Sequence, residues 1–241
     1  IEQVAAAKAG IIKHRRPLVL GRVPAAAETV IRRVAERHEA PVISVRAQFG
    51  ESTDAYPTTR LAGDYQRWNA ATATLAARAL GAAWRISDDV IARGLHAAEW
   101  PGRWQRVRIG DRELVLDASH NPEGAAVLDA NLAALVKQTG RAPLVVVGAL
   151  GAHRARPLLD VVCRHAREIY LVVPNQPRAT SQQELRELIP EWYRGAVFPT
   201  TVKGVFPGGS VCNLGTGRDV VVVTGSIYLL GEVLTQLQLV G

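Results

Sequence analysis

The second half of the chain contains four short runs that are apolar apart from Glu113, residues 113–116, 144–147, 169–173 and 220–223, and a segment of helical periodicity follows each one. Runs of four or five residues are too short for helices. Being apolar at successive positions, they suit strands buried on both faces. Strand and helix alternating this often leave few solutions, and the favoured one is a mostly parallel, doubly wound α/β sheet with right-handed crossovers. Such sheets bind ligands where strand C-termini meet helix N-termini. The stretch Asp117-Ala118-Ser119-His120-Asn121-Pro122 falls at such a junction, between the apolar run ending at Leu116 and a helical segment over 123–137. It brings a carboxylate, an imidazole and an amide to one place.

The first hundred residues also read as α/β. Residues 1–12 form an alanine-rich helix that Gly10 is placed to end. Residues 18–20 and 41–45 read as strands around an amphipathic helix over 24–39 with Pro24 in its first turn. Residues 46–59 read as a loop or irregular hairpin. Helices are expected over 70–80, stopped by Gly81, and over 90–98, capped by Ser87-Asp88-Asp89. Trp100-Pro101-Gly102-Arg103 breaks the helical pattern and marks a boundary between domains 1–99 and 100–241. Past it, 104–109 and 113–116 pair around the turn Gly110-Asp111. Further helices are expected over 154–166, 182–189 and 227–237, and the glycine-rich stretch 200–217 carries no assignable element.

Composition narrows the function classes. No run approaches the roughly 20 apolar residues of a membrane span, and a soluble, cytoplasmic protein with no membrane partner is expected. The net charge of +7 is scattered along the chain. No basic stripe with interleaved aromatics marks a nucleic-acid partner. Two cysteines, Cys163 and Cys212, fit reduced, buried thiols better than a disulfide framework. The 241 residues include no Met and start inside a helical pattern, which suggests a piece of a longer protein.

Each candidate site residue has a plain alternative. Asp117 could accept a ribose hydroxyl and His120 could meet a phosphate, but Asp117 could equally cap the following helix, with His120 a surface residue. Arg103, after a tight Pro-Gly turn, could aim at phosphate or simply be solvated. Asn69, one turn after Gln66, could offer its amide to an adenine edge or be a surface residue. Lys8 sits among Ala7, Ala9 and Gly10, where a lysine is ordinarily solvated. In Thr224-Gly225-Ser226 the serine reads as a helix cap whose neighbouring N–H groups could hold an anion. No Walker-type loop occurs, because no Gly-Lys-Ser or Gly-Lys-Thr follows a strand.

Taken in order, Lys8-Ala9-Gly10-Ile11-Ile12-Lys13, Gln66 with Asn69 to Ala73, Trp100 to Arg103, Asp117 to Pro122 and Gly225 to Leu229 resemble the folylpolyglutamate synthase/dihydrofolate synthase family of the Mur ligase superfamily. The resemblance spans nearly the whole chain except 194–218. It implies the end of a central ATPase domain over 1–99 and a Rossmann-like glutamate ligase domain over 100–241. It implies a monomeric, ADP-forming ligase that adds L-glutamate to folate or dihydropteroate through an acyl phosphate, using ATP and Mg²⁺. By matching motif positions, Lys8 would be carbamylated and bind metal through its carbamate, Asn69, Arg103 and Asp117 would bind ATP, His120 would be catalytic and Ser226 would touch substrate.

The family's phosphate loop has no counterpart here, so this chain alone is expected to be inactive. Three departures bear on substrate preference: Ala118 and Ser119 where the family has Gly-Ala, Gly63-Asp64-Tyr65-Gln66 without the family's His, and Ala7 in place of an acid. The alternatives are another Mur-type ligase, building peptidoglycan precursors or cyanophycin, and a non-catalytic nucleotide-binding module.

Overall fold

The computed structural model describes residues 1–61, 63–81 and 84–239; Ala62, Ala82, Ala83 and the last two residues of the expected second domain, Val240 and Gly241, lie outside the described residues. Contacts divide the chain into two compact units, Ile1–Glu99 and Trp100–Gly241.

The first unit runs α1 (Glu2–Ala9), β1 (Leu18–Leu20), α2 (Ala25–Arg37), β2 (Val42–Ser44), α3 (Val45–Phe49), a 3-10 turn (Thr53–Ala55), α4 (Asp64–Ala79) and α5 (Asp88–Ala97). β1 and β2 pair in parallel with Leu18 opposite Val42. Their side chains alternate between two cores, as the two-residue period of a strand requires. Leu18 and Val42 pack with Ala9, Ile12 and Ala35 of the α1 and α2 side. Val19 and Ile43 pack with Val45, Ala71 and Leu75 of the α3 and α4 side. Alanines at these contacts let the helices approach the strands closely, at the cost of little apolar area per residue.

One expectation is corrected here. Part of 46–59 is helical, because α3 continues straight from β2 and the 3-10 turn follows. Arg67 then fixes the connection by donating to the carbonyls of Asp54 at 3.2 Å and Tyr56 at 2.8 Å. Gly10 ends α1 as expected, with right-handed backbone at φ −60°.

The second unit runs β3 (Gln105–Ile109), β4 (Arg112–Asp117), α6 (Pro122–Thr139), β5 (Leu144–Val147), α7 (Ala152–His165), β6 (Glu168–Leu171), α8 (Gln182–Glu187), β7 (Ala196–Pro199), α9 (Val202–Val205), β8 (Val220–Thr224) and α10 (Ile227–Gln236). The six strands lie in the order β3-β4-β8-β5-β6-β7. Only the β3–β4 hairpin is antiparallel; every other pair is parallel. The expected α/β class with a mostly parallel sheet is therefore what the chain forms. The unassigned stretch contains α9, and β7 just before it was not expected at all.

One core joins α6, α7 and Leu185 of α8 to Val115, Val145, Val147, Ile169 and Val222. The other joins Val205, Phe206 and the buried side of α10 to Leu114, Leu116, Val146, Val221 and Val223. α6 contributes Ala125, Leu128, Leu132 and Leu135, a single stripe at spacings of three and four. Each buried leucine there stabilises the fold by roughly 1.5–3 kcal/mol.

The chain moves across the sheet one way from β4 to β7, with its helices on one face. It then returns from β7 to β8, with α9 and α10 on the other, as one hand of crossover demands. Neighbouring strands β4 and β8 thus send their following helices to opposite faces, and a crevice opens at their C-terminal ends. Among the described residues no helix is long and apolar enough to cross a membrane.

Candidate functional site

Two loops meet at this crevice. The turn of residues 100–103 is closed by Arg103 N–H donating to the Trp100 carbonyl at 3.3 Å and by Gly102 N–H donating to Gln105 Oε1 at 3.0 Å. Gly102 has φ +75°, and a Cβ there would come within 2.6 Å of Leu230 Cδ2 on α10. The turn is then fastened to the 117–122 loop twice: Ala118 N–H donates to Gly102 O at 2.7 Å, and Trp104 N–H donates to Asp117 Oδ2 at 3.2 Å. Trp104 takes left-handed backbone, φ +51°, to make that second bond. Arg103 is carried between these bonds and is half-buried beside Asp117.

Asp117 is 2% exposed. Its other oxygen, Oδ1, accepts Ser119 N–H at 3.0 Å. Burial pushes its carboxyl above the usual carboxylate range, while the bonds from Ser119 and Trp104 and the charge of Arg103 pull the other way. It does not cap α6. Asn121 does, through Oδ1 accepting Gly124 N–H at 2.7 Å, with Pro122 in the first turn. Ser119 Oγ donates to Gly124 O at 3.0 Å. His120 Nδ1 lies 2.8 Å from the Ala118 carbonyl. A carbonyl only accepts, so Nδ1 carries hydrogen, and in the neutral ring Nε2 holds the lone pair. Ala118, where the resemblance has glycine, is not among the residues with positive φ. The exchange therefore costs no backbone strain.

On the neighbouring strand, Asp117 pairs with Thr224. Thr224 and Ser226 are both fully buried. Ser226 Oγ caps α10 by accepting Tyr228 N–H at 3.2 Å, and the Thr224 hydroxyl has no hydrogen-bond partner. Gly225 between them has φ +109°, and a Cβ there would stand 2.5 Å from Gly148 O. Gly148, just past β5, donates its N–H to Thr224 O at 3.3 Å. The ends of β4, β8 and β5 are thus held together largely by backbone bonds.

The structure brings Arg103, Asp117 and His120 together on two loops joined by the bonds to Gly102 O and from Trp104 N–H, and sets Ser226 at the end of the adjacent strand. Lys8 and Asn69 belong to the first unit. Lys8 is exposed in the last turn of α1. Asn69 is exposed on α4 and donates through Nδ2 to Gln66 Oε1 at 3.0 Å, which directs the buried Gln66 side chain. Nearby on the helix, Arg22 stacks over Trp68 at 4.7 Å. No group of three or more His, Cys, Asp or Glu side chains among the described residues could hold a metal ion. Lys8, once carbamylated, would contribute one oxygen-donor group to a magnesium site and would not complete it.

Sequence reasoning overlooked the parts that fasten the cluster: Gly102 O, the Trp104 N–H, Gly148 and the capping amide of Asn121. Asn before Pro-Glu was a legible cap signal. The backbone bonds leave no mark in a sequence.

Comparison with known proteins agrees with this geometry. Residues 102–227 match the model of the Mur ligase family's glutamate ligase domain. The dihydrofolate synthase/folylpolyglutamate synthase of Bacillus subtilis is 30% identical over 264 residues, covering 99% of this chain and 58% of that protein. The folylpolyglutamate synthase of Mycobacterium tuberculosis, solved with ADP, superimposes with a TM-score of 0.77 at 22% identity, over 97% of this chain and 58% of its own. The bifunctional folylpolyglutamate synthase/dihydrofolate synthase of Yersinia pestis, solved with AMPPNP and a manganese ion, gives 0.71 at 23%, over 97% and 56%. The chain therefore spans less than two thirds of these relatives. With more than half of its residues matched by the glutamate ligase model and a switch-point loop to go with it, the chain belongs to the Mur ligase family.

Proposed function

We propose that this chain supplies one side of the site of an ATP-dependent ligase that joins L-glutamate to folate or dihydropteroate in the cytoplasm. The observation that carries this reading is the pair of joined loops that presents Arg103, Asp117 and His120 at the switch point of a glutamate ligase domain. In the reaction, a carboxylate of the pterin substrate attacks the γ-phosphoryl group of ATP, giving an acyl phosphate and ADP. The amine of glutamate then attacks the acyl carbon, and phosphate leaves.

Each residue has a part that suits where it lies. The Arg103 guanidinium, held beside Asp117, neutralises charge on the transferred phosphoryl group. Asp117 holds the turn that carries Arg103 and offers its remaining lone pairs to the ribose. His120 Nε2, left as an acceptor by the Nδ1 bond, takes a proton from the glutamate ammonium, which must be neutral to attack. Ser226 keeps the first turn of α10 in place beside the substrate. Asn69 meets the adenine edge.

Magnesium, when bound, would shield the phosphate oxygens. Lys8 is exposed enough for CO₂ to convert it into a carbamate, which would give that ion a single anionic oxygen ligand. The relatives solved with nucleotides and manganese are consistent with nucleotide and divalent-metal use.

Calorimetric titration with ADP tests this reading. Binding is expected to the 241-residue chain and to weaken about tenfold or more in Arg103→Ala and in Asp117→Ala. Equal affinity in all three proteins would overturn it. Having no Gly-Lys-Ser/Thr loop, the chain alone should form no glutamylated product from ATP, glutamate and either dihydropteroate or folate. Product formation would show that the phosphates are gripped by residues outside those named.

A further inference from the structure

At the opposite end of the same strands lies a cavity of about 450 Å³, within the size range of small-molecule sites. Arg106, Arg108, Asp111, Glu113, Arg218 and Asp219 are among its walls. It sits on the α6 side of the sheet, near the C-terminal end of that helix. Glu113 is four residues before Asp117 on β4, about 13 Å along the strand, so the cavity is separate from the switch-point loops.

Its walls hold three arginines and three carboxylates, but two of the carboxylates are taken by arginines outside the walls. Glu113 pairs with Arg106 at 2.9 Å, and Arg106 also donates to Gln138 Oε1 at 2.9 Å. Asp219 is held by Arg167 at 2.8 Å and by Thr216 N–H and Oγ, at 2.8 and 3.0 Å. Asp111 lies 3.7 Å from Arg112. Each carboxylate thus has its own cation. Arg108 and Arg218 are left over, both exposed at the cavity and neither with a side-chain partner among the described residues. Arg108 stands directly across the hairpin from Glu113, yet that carboxylate is already taken by Arg106.

Two surplus guanidinium groups facing one cavity match a ligand with two negative charges on neighbouring oxygens, which a guanidinium fork binds with paired hydrogen bonds. The volume leaves room for an organic group beyond the anion. We propose that this cavity is a binding site for a phosphate dianion, free or as a small phosphomonoester, distinct from any nucleotide site at the other end of the sheet.

Calorimetry with inorganic phosphate and with glycerol 3-phosphate as separate probes tests the proposal. Binding of at least one is expected to wild type. It should weaken about tenfold or more in the double variant Arg108→Gln, Arg218→Gln and recover in part in Arg108→Lys, Arg218→Lys, which restores the charge without the fork. Arg33→Gln, altered at an exposed arginine of α2 in the first unit, should bind both probes as wild type does. Unchanged melting temperatures would show that the exposed double variant is folded. No binding of either probe, unchanged binding in the glutamine variant, or loss in Arg33→Gln would each overturn the proposal. Which probe binds more tightly tells a free anion from an esterified one.

Discussion

Two buried aspartates sit at opposite ends of the adjacent strands β4 and β8, and their surroundings push them in opposite directions. Asp117, at the C-terminal end, has backbone N–H groups on both oxygens, and burial still lifts its carboxyl above the usual range. Asp219, just before β8, is bound by the Arg167 guanidinium, and that bond holds it down to about 2. The difference separates a group kept with spare lone pairs at a crevice from one spent on holding a turn together. An ion pair with a full set of bonds stabilises the structure and has nothing left to offer a ligand. A buried carboxylate short of charge compensation makes the fold less stable and is free to improve its position by binding.

Substitutions at the two ends can break or sharpen this contrast. The largest effect is expected from Gly225→Ala, where positive φ combines with a backbone clash at Gly148 O. It should lower stability by about 3 kcal/mol in denaturant melts. Gly215→Ala, at the Asp219 end, clashes instead with the side chains of Leu144 and Asp219; it should cost about 1–2 kcal/mol, because side chains can move.

Next comes Asp219→Asn. The folded carboxyl is depressed, so its contribution is present above the ordinary carboxyl range and is lost as pH falls towards about 2. With Arg167 partly in solvent, the loss at pH 7 should be about 1–2 kcal/mol, shrinking to nothing near pH 2.

Asp117 should show the reverse sign. Its folded carboxyl is raised, so stability is fullest below the unfolded value and declines as pH rises through the folded one. Asp117→Asn should remove that decline when midpoints at pH 4 and pH 8 are compared. If wild type and variant fall equally, the two aspartates do not differ in the way described. The smallest effect is expected from Asn121→Ala, about 1 kcal/mol from loss of the α6 cap. A loss at Asp117→Ala that is no larger would mean the carboxylate does little for the loop.

What could be read from the sequence followed burial. Residues 144–147 are apolar because β5 is covered on both faces, and all four are buried. Edge strand β7, Ala196–Pro199, is mostly exposed, and the proline that closes its short apolar run argues against a strand in a sequence. α3 and α9, at five and four residues, are shorter than the window over which a 3.6-residue period can be recognised.

At the candidate site, the junction carrying Asp117 and His120 was legible because a carboxylate and an imidazole follow a buried strand there, whereas Arg103, in the turn before β3, was singled out by the resemblance. The cap was offered to Asp117 and not to its true holder, Asn121, which stands directly before the Pro-Glu start. Ser226 was correctly read as a cap, but its complete burial came only from the packing of β8. The bonds from Gly102 O and Trp104 N–H join backbone groups to partners 13 or more residues away, and any residue type could have supplied them.

Those two bonds also set how short the free chain between the two units is. α5 ends at Ala97, and by Gly102 the chain is already bolted to the loop of Asp117. Only residues 98–101 lie between, and Pro101 has one of its torsions locked by its ring. The freely turning bonds therefore end where the ligand-facing loop begins. Within the second unit, Arg103 and Asp117 keep their spacing whatever those four residues do.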